Sequence, residues 1–209
     1  MESTIKKIVI PATDYMDIAY SSYFQDEKAL FHRKRLNERS KPLHIDGLSY
    51  RIINHWEKNG LIDVDRGEAG TGWRKYSAMD AIWINLMMEL RKFGVSIENI
   101  RKIREQLTAR NELYKPSVYP LLEFYTSLFM QHKEEIYVLI PDNFIIEIAT
   151  QDQIELAKLI GGMSNHISIS LHNIIKTVYG KHDLKPKEDG RIALGKEEAK
   201  LIEEIRKGA

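Results

Sequence analysis

The sequence predicts an α+β protein in which a helix, hairpin, helix, helix unit precedes a small α+β domain. Apolar residues recur at helical spacing over 49–60, 80–93 and 97–107, and each run is bounded by a capping residue or a glycine. A glycine-rich turn between two runs with strand composition occupies 61–77. Beyond residue 115, short strand-like runs alternate with helical ones, which is typical of a separate α+β layer.

Composition predicts a folded protein of two modules. The 209 residues are 43% hydrophobic and 29% charged, which is ordinary globular composition. The chain has no cysteine, which excludes disulfides and thiolate metal sites, so we expect a cytoplasmic protein. The apolar run at 8–10 is too short for a signal peptide core or a membrane span, and we expect no membrane association.

Positive charge is concentrated in one part of the chain. Residues 31–115 hold 17 Lys and Arg against 11 Asp and Glu, a net charge of +6, whereas residues 116–209 hold 11 against 14, a net charge of −3. Such asymmetry suits a phosphate-binding surface, although a solvated basic surface explains it equally well.

We divide the chain into an N-terminal helical arm at 1–39, the helix and hairpin unit at 40–112 and the α+β domain at 113–209. In the arm, residues 26–39 have helix-forming composition and carry a basic run at 32–35.

The unit at 40–112 opens with a short helix. Ser49 is a suitable N-cap, Ile53 and Trp56 recur at helical spacing, and Gly60 is placed to end the helix. Residues 61–77 then predict a hairpin. An apolar helix follows from Asp80, for which the role of a helix cap is favoured over that of a functional carboxylate, and Ser96 caps a helix over 97–107.

The domain at 113–209 begins with an apolar helix over 118–132, which suits a buried core helix or a subunit interface. Strands are predicted over 136–140 and 144–150. Three strand-then-helix units can be traced from there, with strands at 144–149, 166–170 and 191–194 followed by helices that end near residues 161, 180 and 207. The first of these helices opens on a capping-box pattern from Thr150 to Gln153.

The unit at 40–112 resembles the winged helix-turn-helix of the MerR family of transcription regulators. The resemblance is carried by SYRIINHWEKNGL at 49–61, Arg66, GWRKY at 72–76, Asp80 and LRKFGVSIENI at 90–100. It implies a DNA-binding module of about 60 residues, with helix 49–60 in the major groove and wing 61–77 beside it.

The resemblance implies ten DNA-binding residues. Arg51 is expected to pair with guanine and Asn54 with adenine, while His55, Lys58 and the basic wing residues contact phosphates. Two roles are open for Tyr76, a phosphate contact or packing of the wing against the next helix. The full set is Ser49, Tyr50, Arg51, Asn54, His55, Lys58, Arg66, Arg74, Lys75 and Tyr76.

Three features depart from the family pattern. Asn54 stands where family members usually carry an arginine, so a different base preference is expected. The first helix of the motif, around 40–46, lacks a clean amphipathic repeat. Family members follow the module with one long dimerisation helix, whereas Pro116 and Pro120 interrupt this chain.

No catalytic or cofactor motif is present, and we expect neither an enzyme nor a bound cofactor. A metal site at His166 and His172 is disfavoured because no metal-binding motif accompanies them.

The sequence therefore predicts a homodimeric, sequence-specific transcription regulator that binds double-stranded DNA in the nucleoid, with a possible RNA polymerase contact. A DNA-bound adaptor for partition, packaging or recombination is the alternative. A small-molecule sensor with a pocket beneath the hairpin at 136–150 is a third hypothesis.

Overall fold

The fold is α+β, with eight α-helices and a three-stranded antiparallel sheet in the described part of the chain. The computed structural model describes residues 14–40, 42, 45, 47–67, 72–109, 111–159 and 163–181. The helices are α1 (Asp14–Gln25), α2 (Glu27–Asn37), α3 (Tyr50–Lys58), α4 (Ala78–Lys92), α5 (Ile97–Leu107), α6 (Pro120–His132), α7 (Gln151–Leu159) and α8 (Leu171–Lys181). The strands are β1 (Ile136–Pro141), β2 (Glu147–Thr150) and β3 (His166–Ser170), and a 3₁₀ turn covers Asn111–Tyr114.

Two helices, rather than one, occupy the described part of the predicted N-terminal arm. The helix predicted over 26–39 is α2, which Asp26 caps by accepting a hydrogen bond from the backbone N–H of Lys28 at 2.9 Å. The helix α1 was not predicted, because residues 14–25 have a weak apolar periodicity. Tyr23 at the end of α1 is buried, so this region packs against the rest of the molecule.

A buried ion pair holds α2 against α6. Arg33 and Glu123 lie 3.2 Å apart and are almost fully buried. Glu123 also accepts hydrogen bonds from Ser117 and Asn37, both at 2.5 Å, and Arg33 donates to the carbonyl of Tyr114 at 2.5 Å. Burial raises the pKa of Glu123, and the bonds from Ser117, Asn37 and Arg33 oppose that rise. Both charges therefore have the partners that a buried ion pair requires.

Helices α4 and α5 follow the predicted pattern. Helix α4 begins at Ala78 rather than at Asp80, because Ser77 and Asp80 form a reciprocal capping box that places Asp80 in the first turn. The capping role expected for Asp80 is confirmed, and Asp80 also pairs with Arg39 at 2.8 Å. Helix α5 has the predicted bounds, with Ser96 as its N-cap.

The sheet has the strand order β2-β1-β3, and both pairings are antiparallel. In the β1–β2 pair Ile136 lies opposite Thr150, and in the β1–β3 pair Tyr137 lies opposite Ser170. The second predicted strand is shorter than expected and begins at Glu147. Phe144 has a φ of +58°, and the N–H of Ile146 donates to the Gln106 side chain at 3.1 Å, so these residues leave the ladder.

The elements after the sheet agree with two of the three predicted strand-then-helix units. Thr150 and Gln153 cap α7 reciprocally, as the capping-box pattern predicts. Strand β3 leads directly into α8. The strand predicted at 191–194 and the helix after it lie outside the described residues.

One hydrophobic core contains residues from most of the described elements, and a smaller second cluster packs α7 against β1 and β2. Helix α4 lies at the centre of the larger core and contacts both α2 and α8. The ring of Trp83 on α4 lies 5.9 Å from that of Tyr119, which precedes α6. The inward residues of α6, such as Leu122 and Phe129, are buried in this core. Of the two roles suggested for that helix, a core helix or a subunit interface, this burial agrees with the core helix. None of the helices described is both long and apolar enough to span a bilayer.

Candidate nucleic-acid interface

Helix α3 is fixed to the core by its buried face. Ile53 and Trp56 are 8% and 4% exposed, respectively, and both belong to the core. Ser49 caps the helix by accepting a hydrogen bond from the backbone N–H of Ile52. At the other end Gly60 has a φ of +65°, a left-handed conformation that glycine adopts without strain. Position and direction of the helix are thus determined at both ends.

The opposite face of α3 carries the polar residues that the sequence indicated. Tyr50 is 63% exposed, and Arg51, Asn54, His55 and Lys58 are also exposed. The exposed side therefore combines two cationic groups with amide, imidazole and phenol groups, which is a surface suited to hydrogen bonding with base edges and phosphates.

The segment 61–77 is a hairpin closed by one antiparallel bridge, not by two strands. The bridge joins Asp65 and Lys75, where the Lys75 N–H donates to the Asp65 carbonyl at 2.9 Å. Two further bonds shape the turn: the Gly72 N–H donates to the Arg66 carbonyl at 3.0 Å, and the Gly67 N–H donates to the Asp65 carboxylate at 2.8 Å. Residues 68–71 of the predicted turn lie outside the described residues, and in the rest of this segment the predicted strands are reduced to the one bridge.

A carboxylate on α3 connects the hairpin to the helix. Glu57 binds Arg66 at 2.8 Å and Arg74 at 2.7 Å. Burial tends to raise the pKa of Glu57, but the hydrogen bonds from the two arginines outweigh it, so its pKa is lowered. Arg74 also donates to the Asn54 side-chain oxygen, and its guanidinium lies 5.7 Å from the centre of the Tyr50 ring. Arg74 is thus bound to three residues of α3.

The structure divides the predicted phosphate contacts into two groups. Lys75 is exposed, and no ion pair joins it to another residue that the structure describes. Arg66 and Arg74 are instead paired with Glu57, and the Arg74 side chain is only 14% exposed. Sequence reasoning missed Glu57. A glutamate one turn after exposed polar residues, with two arginines in the next segment, is the pattern that indicates such a pair.

The burial of Tyr76 favours one of the two roles left open for it. It was expected to offer its hydroxyl to a phosphate or to pack the hairpin against the next helix. Tyr76 is 6% exposed, and its hydroxyl is buried without a hydrogen-bond partner among the described residues. The packing role is the one present, because a buried hydroxyl cannot meet a phosphate without moving the hairpin.

Trp73 is an exposed residue that the sequence analysis did not single out. Its side chain is 80% exposed at the hairpin, beside Arg74 and Lys75. A large aromatic side chain in that position offers contact area for a ligand bound across α3 and the hairpin.

Helix α5 contacts the segment just after α3 through basic side chains. Arg104 binds Asp63 at 2.5 Å, and Arg101 donates to the Asn59 carbonyl at 3.4 Å. Arg101 and Lys102 are exposed next to this junction. The basic character of the unit therefore continues from α3 onto α5.

The two histidines considered for a metal site have other partners. His166 bonds the Ser164 carbonyl at 2.7 Å, and the imidazole of buried His172 lies 3.2 Å from the Ile136 N–H. Within the described residues, no three His, Cys, Asp or Glu side chains are grouped so that they could hold a metal ion.

Residues 44–107 match the family model described as MerR HTH family regulatory protein. This segment is therefore a helix-turn-helix module of the MerR type, as predicted, and it indicates DNA-binding transcription regulation. That family is in general non-enzymatic. No curated protein and no solved structure matches the chain.

Proposed function

We propose that this chain, whose residues 44–107 form a MerR-type module, is a sequence-specific transcription regulator that places α3 in the major groove of double-stranded DNA. The observation that carries the proposal is the exposed polar face of α3 on a helix held by Ile53 and Trp56. A rigid helix with exposed amide and guanidinium groups suits direct readout of base edges.

Specific roles follow from exposure. Arg51 pairs bidentately with guanine, because it is exposed near the start of α3, where recognition helices meet bases. Lys58, His55 and Lys75 contact phosphates on either side of the groove. The hairpin at 61–77 acts as the wing, and Ser49 and Tyr50 adjoin the backbone at the start of the helix.

We further propose that the regulator acts as a homodimer in the cytoplasm, bound to the nucleoid and in contact with RNA polymerase. A single module has a small footprint on DNA, and two-fold pairing doubles the contacts. Sedimentation equilibrium at micromolar concentration is expected to give a dimer. A strictly monomeric species, with and without DNA, would exclude this part of the proposal.

Selection of bound sequences from a random duplex pool tests the proposal. We expect enrichment of a paired motif that binds far more tightly than scrambled DNA. Equal affinity for both, falling steeply with salt, would indicate nonspecific binding and contradict it. Sites that overlap promoters support regulation, whereas sites confined to recombination or partition loci support the adaptor role.

Two substitutions separate base contacts from phosphate contacts. Arg51→Ala is expected to cost about 1–3 kcal/mol of binding free energy on the selected site and to relax base preference. Lys75→Ala is expected to weaken binding to all sequences and to lower the salt slope by about one. Equal losses on selected and random DNA for Arg51→Ala would contradict its assignment to a base.

A further inference from the structure

Asn54 occupies an unusual position on the exposed face of α3, because a wing residue is already bound to it. Tyr50, Asn54 and Glu57 are spaced so that they share one face of the helix. Arg74 crosses from the wing and contacts all three of them.

Arg74 is itself held in place by Glu57. Its Nε and one terminal nitrogen lie 3.1 and 2.7 Å from Oε2 of Glu57. Arg66 binds the same carboxylate through Oε1 at 2.8 Å and Oε2 at 2.9 Å. The carboxylate therefore fixes the direction in which the Arg74 guanidinium points.

The bond to Arg74 determines which way the Asn54 amide faces. A guanidinium has only N–H donors, so the amide atom that meets it must be the oxygen. The amide NH₂ group is then turned away from the Arg74 guanidinium, on a side chain that is exposed.

Together the two side chains present hydrogen-bond donors next to a positive charge. Guanine offers two acceptors, N7 and O6, on its major-groove edge. Adenine also offers the N7 acceptor, but it carries the N6 amino donor where guanine has O6. That donor would face the Arg74 guanidinium and the Asn54 NH₂ group, which are donors themselves. An asparagine without such a neighbour uses both its oxygen and its NH₂ group to pair with adenine.

We propose that Arg74, positioned by Glu57, makes Asn54 a donor that selects guanine instead of the adenine expected of a free asparagine. This inference rests on the proposed function, and it names the base at one position of the DNA sequence that the protein selects. Asn54 is the residue that contacts the base, and Arg74 and Glu57 are positioning residues.

The test compares selected sequences for four proteins: wild type, Asn54→Ala, Arg74→Met and Arg66→Met. Asn54→Ala identifies the base pair that Asn54 contacts, as the position at which preference is lost. Arg66→Met is the matched control, because it also removes one positive charge and one arginine partner of Glu57 but no bond to Asn54. Thermal unfolding verifies that each variant is folded.

At that position we expect the wild type to prefer guanine to adenine by about fivefold or more, the lower end expected for a good base contact. Arg74→Met is expected to remove this preference or reverse it toward adenine. Arg66→Met is expected to weaken binding to all sequences while keeping guanine.

A second arm changes the DNA instead of the wing and compares the wild type with Asn54→Ala. Replacing the selected guanine with 7-deazaguanine removes the N7 acceptor, and we expect weaker binding by the wild type with no change for Asn54→Ala. Adenine at the Asn54 position in the wild type, or equal shifts for Arg74→Met and Arg66→Met, would overturn the inference alone. If Asn54→Ala keeps the base preference at every position, the inference is overturned as well. Absence of any enriched motif would overturn the proposed function and this inference with it.

Discussion

Single side chains in the candidate interface differ in what surrounds them, and this decides their roles. Arg51 and Lys75 are exposed, whereas Arg74 is bound by α3 and Tyr76 is buried. All four residues were predicted as DNA contacts from the same motif. Their separation into exposed, paired and buried groups depends on neighbours that are distant in sequence, such as Glu57.

Tyr76→Phe tests the packing role of that residue. The hydroxyl is buried without a partner, and burial raises its pKa. Removing an unsatisfied buried hydroxyl is expected to leave the free energy of unfolding unchanged or to increase it by up to about 1–3 kcal/mol. Thermal unfolding measures this, and DNA affinity is expected to stay at the wild-type level. A large loss of affinity without loss of stability would instead support a contact between the Tyr76 hydroxyl and a phosphate.

Titration of Glu57 tests the ion pairs that join wing and helix. Because its pKa in the folded state is lowered, its ion pairs contribute stability above the ordinary carboxyl pKa. That contribution is lost as the pH falls through the lowered value. Carboxyl chemical shifts followed by NMR are expected to give a pKa below the ordinary range for glutamate.

Arg66→Met and Arg74→Met are each expected to raise the pKa of Glu57, because each removes a bond to the charged form. Lys58→Met is the control, because it removes a neighbouring exposed charge and leaves both arginine partners of Glu57 in place. An ordinary pKa in the wild type would contradict the pairing.

At the scale of elements, the hairpin after α3 depends on one close approach between backbone segments. A Cβ atom added to Gly72 would lie 2.4 Å from the Arg66 carbonyl oxygen, which is closer than atoms can pack. Gly67, by contrast, has a φ of +74° with open space around its Cα. The glycines of this turn are therefore required for different reasons.

Gly72→Ala is expected to displace the turn and weaken DNA binding more than Gly67→Ala. The latter introduces only the strain of a left-handed alanine, about 1–2 kcal/mol. Affinity for the selected site and thermal unfolding of both variants give the comparison. Equal effects of the two substitutions would show that the contact at Gly72 is relieved without cost.

Helix α5 connects the MerR-type module to the sheet. The Gln106 side chain donates to the Phe144 carbonyl at 2.9 Å and accepts from the Ile146 N–H at 3.1 Å. On an adjoining turn, Arg104 binds Asp63 just beyond α3. One helix therefore contacts both the region after α3 and the loop before β2.

At the scale of the whole molecule, the three predicted segments contribute to one core. Residues from α1 and α2, from the module and from the sheet region belong to the same hydrophobic cluster. The ion pair of Arg33 with Glu123 adds a buried polar link between α2 and α6. We therefore expect the chain to unfold in a single transition.

Arg33→Ala tests this expectation, because it leaves the Glu123 carboxylate buried without its cation. Removing one partner of a buried ion pair is expected to cost about 3–5 kcal/mol. Circular dichroism and tryptophan fluorescence, which reports Trp56, Trp73 and Trp83 in the module, are expected to shift together. The control is Lys34→Ala, on the exposed side of the same helix. Separate transitions for the two probes would show that the module unfolds independently.

The sequence by itself determined the local elements of the module. Ser49 and Ser96 cap their helices, Gly60 adopts a positive φ at the end of α3, and apolar spacing gives the bounds of α5. The family of the module followed from residues in a fixed order over 49–100. These features depend on neighbours within a few residues, and for that reason they can be predicted from the chain alone.

Only the tertiary structure decided which of the matching residues are available to DNA. Glu57 pairs with arginines nine and seventeen residues away, and Arg33 with a glutamate ninety residues away. The helix α1 and the shortened β2 likewise depend on packing partners from other parts of the chain. Contacts over such separations depend on how the core brings the elements together, because periodicity and capping act only over a few turns.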